Sequence, residues 1–269
     1  MLFAAVMLCV PLRAAGQAAF EGIVPVELLA ADGVRVAAEL YPALAGERAV
    51  ALLFHQAGSN AAEYAPIAGR LRRLGITCLA IDQRSGGRMW GRQNRTVARL
   101  GASATFWEAY ADLEAALSWA ATHHPGKPLL AWGSSYTAAL VLRLAAEHPG
   151  ELTAVLSFSP GEYFGPGEPV RAWAERVRQP LFVTSAPGSE VAVAKRIFEA
   201  APARLKRQFV PASGVHGASI LREDRNPGAT GPVWAAVEKF LAEVLGAAPA
   251  ASSSGPPRNA RGEHGCASE

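Results

Sequence analysis

The chain has 269 residues, is 50% hydrophobic and carries a formal net charge of +3. It is long enough to bury a sizeable core as one or two domains. The charge is small and no run gathers it on one face, so composition gives no argument for a nucleic-acid partner.

Residues 1–12 are nearly all apolar, too short a run for an ordinary membrane-crossing helix, which needs about 20 residues. Small residues at 14–18 follow and supply a signal-peptidase site. Residues 1–18 therefore read as a signal peptide, with export to a periplasmic or secreted location and no stable membrane span. No Lys or Arg precedes the apolar run, a departure from the usual pattern. Residues 19–246 read as the folded domain, and 247–269, rich in Ala, Ser, Gly and Pro, as a disordered tail. Cys9 lies in the leader and Cys266 in the tail. Cys78 sits in an apolar run, so a Cys78–Cys266 disulfide is not expected. No Cys/His spacing matches a metal site.

Within the domain, short apolar runs alternate with amphipathic ones, as in a parallel sheet covered by helices. Segments 24–29 and 34–40, separated by Asp32-Gly33, predict a hairpin. Strands are expected at 49–54, 76–81, 128–132, 153–158, 180–184 and 206–210. Helices are expected at 61–74, 103–122, 136–147, 191–200 and 233–245. The fold class is α/β, with a mostly parallel sheet of eight strands. Ligands in such sheets bind beyond the carboxyl ends of the strands, so the residues after each strand carry the chemistry.

After 128–132 comes Gly133-Ser134-Ser135-Tyr136-Thr137-Ala138 and then a helix, close to G-x-S-x-G in its strand–turn–helix setting. The turn crowds the residues two places from the nucleophile. Centring on Ser135 puts Gly133 and Thr137 there; centring on Ser134 would put Trp132 and Tyr136 there, which clash. Ser135 is therefore the candidate nucleophile, with β-branched Thr137 a departure from glycine. Serine needs a base. His123, His124 and His148 lie near helix ends, His264 in the tail and His55 before the nucleophile. His216, in the loop Gly214-Val215-His216-Gly217 after the last strand, is the candidate base. The acid is Glu190 or Glu162. Glu190 is favoured as the one carboxylate between strand 180–184 and its helix, although helix capping competes for it. One oxyanion donor is expected from the backbone of Tyr136, directly after the nucleophile, and the other from the loop after strand 49–54.

Four motifs, in order, carry a resemblance: His55-Gln56-Ala57-Gly58, Asp82-Gln83-Arg84-Ser85-Gly86-Gly87, Gly133–Ala138 and Val215-His216-Gly217. Together they resemble the α/β-hydrolase superfamily, particularly dienelactone-hydrolase-like serine esterases, over roughly 24–246. The resemblance implies an acyl-enzyme mechanism without a cofactor, acting on a small-molecule ester, with the backbone of Ala57 as the second oxyanion donor and that of Gln56 as the neighbouring candidate. Serine in place of the namesake's cysteine leaves the namesake substrate unsupported. Only a short loop and helix fit in 159–179, so the cap is minimal and the site open, shaped by Tyr163, Phe164 and Trp173. Substrate contacts are expected at His55, Gln56, Tyr163 and Trp90. The insertion 84–101, with Arg88, Arg92, Arg95 and Arg99, either borders the pocket and favours an anionic or aromatic ester, or is a solvated loop. The rival readings are a non-catalytic ligand-binding relative, an amidase or peptidase, and an acyltransferase.

Overall fold

A computed structural model describes residues 22–246. The leader expected at 1–18, the tail expected at 247–269, and Cys9 and Cys266 lie outside the described residues. In chain order the elements begin with β1 Val24–Leu29, β2 Arg35–Tyr41, β3 Ala49–Phe54, a 3-10 turn Ala61–Tyr64, α1 Ala65–Arg73 and β4 Ile76–Ile81. Next come β5 Arg88–Met89, β6 Arg92–Gln93, α2 Arg95–Leu100, α3 Tyr110–His123, β7 Leu129–Ser134 and α4 Tyr136–Glu147. The chain closes with β8 Ala154–Phe158, α5 Pro169–Ala174, β9 Leu181–Thr184, α6 Ser189–Ala200, β10 Lys206–Phe209, a 3-10 turn Gly217–Leu221 and α7 Thr230–Leu245.

Eight strands form one sheet in the order β1-β2-β4-β3-β7-β8-β9-β10. β2 pairs antiparallel with β1 and β4, and every other pairing is parallel. All eight expected strands are present. The central strands are covered on both faces, which is why β3 and β4 read as unbroken apolar runs. Successive side chains of β3 serve opposite faces: Val50, Leu52 and Phe54 join one core, Ala49, Ala51 and Leu53 the other. Among the described residues no helix is long and apolar enough to cross a membrane.

Two expectations about helices change. The helix expected at 103–122 begins at Tyr110. Ahead of it, Thr105 and Glu108 exchange side-chain and backbone hydrogen bonds in a capping box, which frees Phe106 to stack on Tyr136 at 4.1 Å. The insertion 84–101 is structured: β5 and β6 form a separate hairpin, and Asn94 caps α2 by accepting from Val97 N at 2.9 Å.

Candidate active site

The turn from β7 into α4 is sharp. Ser135 has φ +62° and ψ −123°, outside the regions a non-glycine residue ordinarily occupies, and its N–H is tied to Phe158 O at 2.9 Å. A Cβ on Gly133 would lie 2.3 Å from Thr137 O and 2.7 Å from Ala138 N, so no side chain fits there. On the other flank Thr137 is fully buried, and its β-branch is put to use. Its hydroxyl accepts from Ser134 N at 2.8 Å and donates to Phe54 O at 2.7 Å, joining the elbow to the end of β3.

His216 closes the loop beyond β10, just before the 3-10 turn Gly217–Leu221, and its Nδ1 lies 2.7 Å from Glu190 Oε1. The carboxylate only accepts, so Nδ1 carries the proton and Nε2 is left as the basic nitrogen. Glu190 stands in the first turn of α6, and its other oxygen accepts from Ala186 N at 3.1 Å. Burial pushes the Glu190 carboxyl up, but hydrogen bonds from His216 and Ser159 outweigh it and hold its pKa below the ordinary value. Glu162 is placed elsewhere. It accepts from Val170 N and Arg171 N, both at 2.9 Å, and so caps α5. Of the two carboxylates, the one that meets His216 is Glu190.

The turn after β3 faces the elbow. Gln56 N donates to Glu63 Oε2 at 3.0 Å. Tyr136 is the first residue of α4, where an N–H has no acceptor within its helix. His55, expected as a substrate contact, is not one. Its ring is fully buried, with Nδ1 donating to Gln56 O at 2.7 Å and Nε2 accepting from Gln83 N at 3.1 Å. Burial takes its pKa down to about 4, so the neutral ring knits two loops together. The side chain of Gln56 does reach the site: a Cβ on Gly217 would meet Gln56 Oε1 at 3.2 Å and Ser134 Oγ at 2.5 Å. Glycine at 217 thus lets the His216 loop close onto the elbow.

Tyr163 is 36% exposed, and its hydroxyl donates to Ser159 O at 3.0 Å and meets the Ser135 side chain. Trp90 sits at the tip of the β5–β6 hairpin with φ +58°. Its indole donates to Ser59 Oγ at 2.8 Å, and Arg222 lies 3.9 Å over the ring. With Arg92, Pro66, Arg222 and Asp224 it lines a cavity of about 510 Å³ beside the 3-10 turn at Ala61–Tyr64. The arginines expected to attract an anionic ester are mostly engaged: Arg92 pairs with Glu39, Arg95 with Asp82 at 2.8 Å, and Arg99 with Glu27. Their charge anchors the insertion to the N-terminal strands and to the turn after β4.

Two serines to which the sequence assigned no role hold the His216 loop. Ser134 Oγ accepts from Ala218 N at 2.8 Å, and Ser159 Oγ from Gly217 N at 2.9 Å. The signal available for both was position alone, a small hydroxyl at the carboxyl end of a buried strand.

The family described as serine aminopeptidase, S33, matches residues 45–213. Among curated proteins, a monoacylglycerol lipase of Mycolicibacterium smegmatis is 28% identical over 128 residues, 48% of this chain and 43% of that protein. The chain thus spans under half the length of that relative. Among solved structures, an esterase of Pyrococcus furiosus superposes with a TM-score of 0.64 at 18% identity, covering 83% of this chain and 93% of the other. A dienelactone hydrolase from Anabaena variabilis gives 0.65 at 17% identity, covering 83% and 98%. These likenesses establish the α/β-hydrolase fold.

Proposed function

The chain belongs to the serine aminopeptidase, S33, family of α/β hydrolases, and on that premise we propose that it is a serine hydrolase cleaving a small carboxylic ester through an acyl-enzyme on Ser135. The observation that carries this reading is a conjunction. A serine with left-handed backbone at a strand–helix elbow shares the carboxyl edge of the sheet with a histidine hydrogen-bonded at 2.7 Å to a carboxylate. A helix-capping serine has no need of such a backbone, nor a surface histidine of such a partner.

In this reading Ser135 Oγ attacks the acyl carbon while its proton passes to His216 Nε2. Glu190 keeps Nδ1 protonated and stabilises the imidazolium. The tetrahedral oxyanion accepts from the N–H groups of Tyr136 and Ala57. Gln56 is set aside as a donor because its N–H is committed to Glu63. Collapse breaks the bond to the alcohol oxygen, which leaves with the proton from Nε2. Water, deprotonated by the same nitrogen, then attacks the acyl-enzyme and frees Ser135. Tyr163 borders the entrance, and the short loop and helix between β8 and β9 leave it open. The preference for an ester over an amide is supported by the lipase name of the curated relative.

A fluorophosphonate probe should tag the unsubstituted chain at Ser135, with no tag on Ser135→Ala. Ser135→Ala and His216→Ala should each lower kcat on p-nitrophenyl acetate by about 10⁴-fold or more. Full activity in either variant refutes the mechanism. A chain that binds esters but takes no label and releases no product is the non-catalytic relative. Faster turnover of aminoacyl amides than of esters would make it a peptidase, and transfer of the acyl group to an added alcohol in preference to water an acyltransferase.

A further inference from the structure

Ser159 follows β8 and is 1% exposed. Its φ is +58°, a backbone that disfavours any residue with a Cβ and persists only where the surroundings over-determine it. Three of its groups are committed. The N–H donates to Thr184 O at 2.7 Å, the carbonyl accepts from Tyr163 Oη at 3.0 Å, and Oγ accepts from Gly217 N at 2.9 Å. Because Oγ serves Gly217 as an acceptor, its own proton is free for Glu190, whose carboxylate it faces. One side chain thus bridges the acid and the residue after the base, while its backbone holds the end of β9 and the tyrosine that meets Ser135.

We propose that Ser159 is a positioning residue for the His216–Glu190 pair, a role that rests on the serine-hydrolase reading above. Glu190 reaches His216 through a long, rotatable side chain. Two donors hold it, His216 Nδ1 and Ala186 N, and the Ser159 hydroxyl lies beside it. The same hydroxyl, by holding Gly217 N, fixes where the loop presents the imidazole. Glycine would suit the backbone at 159 better than serine does, and alanine would fill the space. Serine adds only the hydroxyl, which the fold of the strand end does not require.

Ser159→Gly separates the two roles, since it relieves the backbone and removes the hydroxyl. We expect kcat on p-nitrophenyl acetate to fall about tenfold to a hundredfold with KM held within about twofold. The rate of fluorophosphonate labelling should fall by the same factor, and Tm should stay close to that of the unsubstituted chain. Ser159→Ala, which keeps the backbone strain, should lose as much activity and also melt earlier. The proton NMR resonance of His216 Nδ1–H, which reads its hydrogen bond to Glu190, should move upfield in both variants. A Ser159→Gly protein with kcat and labelling rate within about twofold of the parent and an unmoved Nδ1 resonance overturns the proposal. If the parent neither hydrolyses esters nor takes the label, the hydrolase reading falls. The resonance then still decides whether Ser159 sets the hydrogen bond.

Discussion

Glu190 and Glu162 both looked able to serve as the acid, and their surroundings separate them. Replacing Glu190 by Gln removes the charge opposite His216 and is expected to lower kcat by about 10²- to 10⁴-fold. Glu162→Gln weakens a helix cap, at a cost of about 1 kcal/mol, and should leave kcat near the parent's. Stopped-flow or plate assays with p-nitrophenyl acetate distinguish the two. The Glu190 pKa is depressed from its ordinary 4.5. The stability this carboxylate contributes is therefore present above that value and is lost as pH falls through the folded value. The activity gap between the parent and Glu190→Gln should close in the same direction. His55 has the same sign for a different reason, since burial favours its neutral form. Its folded pKa of about 4 lies below the ordinary 6.5, so between these values the unfolded chain takes up a proton that the native ring refuses. Stability should decline as pH drops from 6.5 towards 4. Urea unfolding at several pH values should show a shallower decline in His55→Gln. The sequence carried much of the site at this scale. Ser135 followed from sterics at Gly133, and His216 and Glu190 from their places after strands. It could not show that Thr137 donates to Phe54 O or that Ser159 meets Glu190, because those contacts join segments far apart in the chain.

The strands were legible because a sheet covered on both faces demands apolar runs, and β3, β4 and β7 supply them. The β5–β6 hairpin was not, because Arg88-Met89 and Arg92-Gln93 are too short to show alternation. Its stability comes from elsewhere. Trp90 and Gly91 both have positive φ, as a type I′ turn requires, and the Trp90 indole is bonded to Ser59 and covered by Arg222. Asn60 Nδ2 adds bonds to Met89 O at 2.9 Å and Arg92 O at 3.1 Å. The hairpin is thus fastened to the turn that carries Ala57. Trp90→Ala should release it, and limited trypsin digestion followed by mass spectrometry should then show faster cleavage after Arg88 and Arg92. A digestion pattern identical to the parent's would mean that Asn60 and the Arg92–Glu39 pair hold the hairpin without the indole.

At the scale of the whole molecule, the candidate site is assembled from neighbours in the sheet. β3, β7, β8, β9 and β10 lie side by side in that order, and the segments leaving their carboxyl ends bring Ala57, Ser135, Ser159, Glu190 and His216 to one edge. Ser134 and Ala218, 84 residues apart in the chain, bond there only because the strand order folds their segments together. The same order leaves β1 and β10 as outer strands with open backbone on one side. An open rim of this kind invites a second chain to add a strand and begin a growing stack. Pro25, in β1, lacks an amide hydrogen and breaks the donor row, and Glu27 in β1 and Lys206 and Arg207 in β10 place charge along the two rims. The sheet therefore ends where it does by chemistry as well as by length. Pro25→Val, which restores the missing donor, is expected to hasten β-rich aggregation on heating, read by light scattering and thioflavin fluorescence. A chain whose candidate site lies along one rim of its strands must keep the other two from becoming templates.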